Sequence, residues 1–127
     1  MAVNRLVRSV TYPSDGDNSG NQYRIVALDD AGRVQVQTAA ATPVLGVLQN
    51  KPGAIDAAAE VAIVGSIVKL EAGAAVSERD AIQAVAGGRG SPTTTEDDDI
   101  VGYALTPAAG SAELFEVVIT APAQFRT

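Results

Sequence analysis

The chain has 127 residues, 9 Lys+Arg against 15 Asp+Glu, a net charge of −6, and neither His nor Cys. That length suits one domain, able to bury roughly two-thirds of the surface its unfolded chain exposes. The missing residue types exclude a disulfide framework, a thiolate nucleophile, Cys- or His-ligated metal sites, an imidazole base and any Ser–His–Asp triad. No cofactor is expected.

In chain order, Met1–Val10 alternates charged and apolar groups and lacks the continuous apolar core of a signal peptide, so no targeting segment is expected. Leu6–Tyr12 reads as a strand that runs into the turn formers Pro13-Ser14-Asp15-Gly16-Asp17-Asn18-Ser19-Gly20. Residues 1–22 are therefore expected to form an extended N-terminal arm, joined through a mobile connection to a single β-rich domain over 23–127. Tyr23–Leu28 and Arg33–Thr38 flank Asp29-Asp30-Ala31-Gly32, which predicts a hairpin with Gly32 in the left-handed position. In its second arm Val34 and Val36 face one way, and Arg33, Gln35 and Gln37 form a wet face.

Further strands are predicted at Val44–Leu48, Glu60–Val64, Ile67–Leu70, Ala81–Val85, Ile100–Leu105 and Leu114–Thr120. Lys51-Pro52-Gly53, Gly65-Ser66, Gly73, Gly87-Gly88-Arg89-Gly90 and Pro107-Ala108-Ala109-Gly110 separate them. Helix, if any, is confined to about one turn near Ile55–Ala59 or Ser77–Ala81, with a turn as the equal alternative for Ser77-Glu78-Arg79-Asp80. The 16 Val and 7 Ile against 7 Leu favour pleated surfaces. The 23 Ala do not argue for helices, because most sit beside Gly, Pro, Thr or Ser. The expected fold is all-β, a compact small barrel or sandwich of short strands with an N-terminal arm.

A weak internal echo runs through the chain. Leu45-Gly46-Val47 returns as Val101-Gly102-Tyr103, and Glu60-Val61-Ala62-Ile63 returns as Glu116-Val117-Val118-Ile119 at the same distance after each Gly. The pattern is a strand, a Pro/Ala/Gly loop and a returning strand, used twice.

Candidate chemistry is sparse. Asp15-Gly16-Asp17-Asn18-Ser19-Gly20 matches the opening of a calcium loop, but Val26 stands where the bidentate Glu belongs, so a solvated turn is expected. Glu96-Asp97-Asp98-Asp99 reads as a loop kept in water. Gly87-Gly88-Arg89-Gly90 lacks the Lys-Ser/Thr of a phosphate loop and reads as a flexible turn. The scattered cations give no footprint for nucleic acid, and no basic amphipathic segment suggests a membrane. An enzyme built on carboxylates alone would need a convergent pair that nothing in the sequence places.

From Leu45 onward the chain carries a more specific succession. It runs Leu45-Gly46-Val47-Leu48, Glu60-Val61-Ala62-Ile63-Val64-Gly65, Lys69-Leu70-Glu71-Ala72-Gly73-Ala74-Ala75-Val76, Ile100-Val101-Gly102-Tyr103-Ala104-Leu105 and Ala112–Ile119. This resembles the head decoration, or capsid cement, proteins of tailed bacteriophages. It departs from them at Ser77-Glu78-Arg79-Asp80, where the family commonly carries a Gly-Asp turn.

The resemblance implies a β-rich, non-enzymatic virion structural protein. Such a protein would be made in the host bacterial cytoplasm and sit on the capsid exterior. It would assemble there as a homotrimer and clamp neighbouring copies of the major capsid protein. The expected capsid contacts are Arg5, Leu6, Val7, Arg8, Val10 and Tyr12, on a terminal strand able to pair with an exposed sheet edge. The alternative is a β-barrel or sandwich module that binds a receptor or glycan on a surface or tail.

Overall fold

The computed structural model describes residues 7–37, 43–96 and 98–124. Its strands are β1 (Ser9–Pro13), β2 (Ile25–Leu28), β3 (Val34–Val36), β4 (Gly46–Leu48), β5 (Ala58–Ala62), β6 (Ile67–Glu71), β7 (Ala81–Val85), β8 (Arg89–Pro92), β9 (Asp99–Ala104) and β10 (Leu114–Gln124). They form two antiparallel five-stranded sheets, ordered β1-β5-β4-β2-β3 and β6-β10-β9-β7-β8, packed into a compact sandwich. The all-β expectation holds.

The two orders are the same order, with each strand of the first sheet replaced by the strand five places later. Each sheet also curls until its outer strands touch: Ser14 bridges Val34 in the first, and Ala72 bridges Gly90 in the second, both parallel. The backbone repeats bond for bond. The Tyr23 amide donates to Leu48 O at 2.8 Å and the Arg79 amide to Ala104 O at 2.7 Å; Gln37 donates to Ile25 O and Thr93 to Ala81 O, each at 2.9 Å. The strained positions repeat as well. Tyr23 (φ 66°) matches Arg79 (φ 71°), and Asp56 (φ 66°) matches Ala112 (φ 71°), each pair equally spaced along the chain. The weak echo in the sequence is thus the trace of a structural duplication that spans both sheets.

Burial follows from the curl. Ile25, Val47 and Ala62 of the first sheet join Leu70, Ile82, Val101, Phe115, Val117 and Ile119 of the second in the main core. The opposite face of the first sheet is also apolar. Val26, Val34, Leu48, Ala59 and Val61 form a smaller core of their own, with Val10, Tyr12 and Leu45 packed against it. Strict one-sided alternation therefore fails here, and Gln37, expected on a wet face, is buried.

The hairpin over 25–36 forms as expected: Gly32 has φ +78°, and Asp29 accepts from the Ala31 and Arg33 amides at 2.9 and 2.8 Å. No helix forms at Ile55–Ala59, and of the two readings of Ser77–Asp80 the turn is the one that forms. Ala58 already belongs to β5, and Ser77–Asp80 is a turn with Asp80 N bonded to Ser77 O at 3.2 Å. The one helical turn among the described residues is 3-10, at Ala86–Gly88.

β8 is missed by the sequence, since Arg-Gly-Ser-Pro carries no β-branched residue. Its ladder to β7, from Ile82↔Pro92 to Val85↔Arg89, holds it instead. Gly88, expected in a flexible turn, is buried at the contact between the sheets. A Cβ there would stand 2.7 Å from Val36 Cγ1 and 2.9 Å from Ile25 O.

The segment 7–22 is part of the sandwich, not an appendage to it. β1 pairs antiparallel with β5 over its whole length, from Ser9↔Ala62 to Pro13↔Ala58. Ser14 is fully buried, its amide bonded to Ala57 O and its carbonyl accepting from Asp56 N. Asn18 is buried too, donating Nδ2 to Ser14 Oγ and its amide to Pro52 O. These turn formers make a packed corner where a mobile connection was expected.

Candidate functional site

β1 is the outer strand of the first sheet, and that position follows from its residues. Val10 and Tyr12 alternate toward the small core, opposite Val61 and Ala59, while Ser9, Thr11 and Pro13 face out. The Arg8 carbonyl accepts from Ile63 N at 2.9 Å, so alternate residues from Arg8 onward bond to β5. The amides and carbonyls of Ser9 and Thr11 then point to the open edge. Pro13 has no N–H to offer and closes that edge at one end. Ser66 anchors the strand's start, its Oγ accepting from the Arg8 amide at 2.8 Å and donating to the Arg8 carbonyl at 2.9 Å.

The expected contact residues therefore separate. Val7, 52% exposed, and Arg8 lie on the surface where β1 begins. Val10 and Tyr12 are half-buried and support the first sheet's own core, so their side chains are committed inward. Arg5 and Leu6 lie outside the described residues.

The calcium-like loop uses its oxygens internally. Asp15 Oδ1 accepts from Asn18 Nδ2 at 2.8 Å, and Asp17 Oδ1 accepts from the Ser19 hydroxyl and amide at 2.6 and 3.0 Å. The two bonds from Ser19 hold the Asp17 carboxyl below its ordinary pKa. Among the described residues no three His, Cys, Asp or Glu side chains gather as a metal-holding group. In the acidic loop Asp98 Oδ2 accepts from Thr93 Oγ1 at 2.7 Å, Asp99 opens β9, and Asp97 lies outside the described residues.

One ion cluster joins the two halves, and sequence reasoning did not find it. Glu71, at the end of β6, accepts from Arg24 of the first half at 3.2 Å and from Arg89 of β8. Arg24 also donates to Gly87 O at 3.3 Å. Burial is the largest single influence on Glu71 and raises its pKa. The Arg89 hydrogen bond, the charges of Arg24 and Arg89 and the Arg24 hydrogen bond together outweigh it, so the carboxyl sits below its ordinary value of 4.5.

A group with a lowered folded pKa stabilises above its unfolded value and stops doing so as pH falls through the folded one. Glu71→Gln is expected to cost about 1 kcal/mol at pH 7, the scale of a partly solvated charge-assisted bond. That gap should close below pH ~4. Urea melts of both proteins at pH 7 and pH 3 check it; an equal gap at the two pH values refutes the role.

Where β4 enters the sandwich an open apolar groove of about 480 Å³ lies between Leu28, Pro43, Val44, Leu45, Ile63, Val64 and Ala121. Leu28 and Val64 are 37% and 46% exposed along it. No helix among the described residues is long and apolar enough to cross a membrane.

Comparison with known proteins found no family that the chain matches and no curated protein that matches it.

Proposed function

We propose that the protein is a non-enzymatic structural component of a tailed-phage virion, binding the outer capsid surface and holding neighbouring major capsid proteins together as a homotrimer on the shell. The observation that carries this reading is the succession of motifs from Leu45 to Ile119 that resembles the head decoration proteins. The open edge of β1, with exposed Val7 and Arg8 at its start, supports it. A strand edge offers backbone donors and acceptors to a partner edge and demands little of its sequence. A protein that binds only the expanded shell stabilises that shell by mass action, and many identical sites multiply the effect. Copies carrying a charge of −6 repel one another in solution, so assembly on the shell has to be driven by contacts with the shell itself.

The test is removal of residues 1–6, which leaves β1 and its Ser66 anchor in place. The shortened protein should melt within about 2 °C of the full chain, while its occupancy on purified phage heads, read by co-sedimentation, should drop about tenfold. Full occupancy by the shortened protein removes the terminal segment from the contact. Failure of the full chain to sediment with heads overturns the whole reading, and retention on a glycan or receptor in the absence of heads would favour a binding module.

A further inference from the structure

The duplication makes a comparison inside one chain possible, and at one place the halves differ. In the second sheet β10 runs on past Ile119, and after an irregularity its end pairs again with the start of β9, Ala123 opposite Ile100 and Gln124 opposite Asp99. In the first sheet the equivalent strands are β5 and β4, but their ladder covers only Val47↔Ala62 and Leu48↔Val61. β5 cannot continue. After Ile63 the chain turns, Ser66 N bonding back to Ile63 O at 3.1 Å with Gly65 at φ +93°, and leaves for the second sheet as β6.

The counterparts of Asp99 and Ile100 are Pro43 and Val44, and among the described residues they have no strand beside them. Leu45 donates its amide to Val26 O at 3.0 Å, toward β2. By alternation the amide and carbonyl of Val44 face the other way, along the groove. The groove lies where the missing strand end would run. Its exposed apolar walls agree: Leu28 is 37% exposed, whereas its counterpart Ala84 is 3% exposed.

We infer that the groove beside Pro43–Leu45 accepts an extended, uncharged segment of small residues from another polypeptide chain, which completes the first sheet as Ala121–Gln124 completes the second. The occupant's chemistry is read from that filler, an Ala-Pro-Ala-Gln stretch without charge. The walls are apolar side chains, so a lysine or carboxylate carried into them would lose its hydration without a partner. Backbone bonds to Val44 would set the register, and the apolar walls would exclude charged sequences. This inference stands apart from the shell reading, because its test needs no shell.

The probe is the peptide ITAPAQ, acetylated and amidated, titrated into the full isotope-labelled chain and followed by amide chemical shifts. Saturable shifts confined to Leu28, Val44, Leu45, Ile63, Val64 and Ala121 are expected. A peptide with both alanines replaced by lysine should bind about tenfold more weakly or not at all. Val64→Arg should weaken ITAPAQ binding by about the same factor without changing the melting curve, because Val64 is already exposed; Leu28→Lys provides a second reading of the same wall.

The inference is overturned by an absence of saturable shifts, or by shifts that survive both substitutions. It is also overturned if the Val44 amide is already protected from exchange without peptide, which would mean that the chain itself covers the groove.

Discussion

Gly46→Ala and Gly102→Ala should each destabilise the protein by about 3 kcal/mol or more, and by similar amounts. A Cβ on Gly46 would lie 1.8 Å from Ala62 O and 3.1 Å from Val61 Cγ1. A Cβ on Gly102 would lie 1.8 Å from Val118 O and 3.1 Å from the Ile119 Cα. Both obstacles include backbone of the paired strand, so no rotamer change relieves them, and β4 or β9 must move away from its partner. That movement would break the ladder at Val47↔Ala62 or Val118↔Tyr103 and open the core behind it. Gly16 and Gly110 have open space where a methyl group would stand and carry no positive φ. Alanine at those sites should change stability by less than about 0.5 kcal/mol. Denaturant melts of the four variants check the contrast. A mild effect at Gly46 beside a severe one at Gly102 would show that the two halves do not bear equal constraint there.

The same two glycines explain what the sequence reveals of the duplication. A position where only hydrogen fits must stay glycine in both halves, so Leu45-Gly46-Val47 and Val101-Gly102-Tyr103 remain recognisably alike. Elsewhere the repeat is carried by backbone bonds that many side chains permit. The corner at Ser14 and Asn18 corresponds to Ala72 and Val76, a polar pair in one half and an apolar pair in the other, yet Ser14 N bonds Ala57 O as Ala72 N bonds Glu113 O. Glu60 and Glu116 are the third residues of β5 and β10. Their amides are met by Asn50 Oδ1 and Thr106 Oγ1, each at 2.9 Å, from different side chains doing one job. The turn signals from Pro13 to Gly20 were visible, but the burial of Ser14 and Asn18 was not, because it depends on Pro52, Asp56 and Ala57 closing over them. The groove had no sequence signal at all. It exists because the chain turns at Gly65-Ser66 in one half, whereas in the other β10 passes an irregularity after Ile119 and pairs again with β9.

Removal of residues 1–20 is expected to abolish cooperative folding, and this bears on how any test of the terminal segment is read. The deletion takes away all of β1 and with it the pairing of β5 from Ala58 to Ala62. It strips Val10 and Tyr12 from Ala59 and Val61, which are fully buried at 0% exposure. Each half-buried side chain of that size contributes about 1–2 kcal/mol, a fraction of the full-burial value. It also removes Ser14, Asp15 and Asn18, leaving Ala57 O, Asp56 N, Val34 O and Pro52 O without the backbone partners they now have. Each such group, wherever it stays buried, costs about 1–3 kcal/mol. Together these losses reach the whole margin of about 5–15 kcal/mol that holds a domain of this kind. Circular dichroism and a thermal melt should show no cooperative transition, in contrast to the protein lacking only residues 1–6. A truncation at residue 20 would then fail to bind heads simply because it has no fold, so only the shorter cut isolates the contact. A cooperative melt from the protein lacking residues 1–20 would instead mean that β5 and the small core hold without their edge strand, and would restore the longer truncation as a fair test.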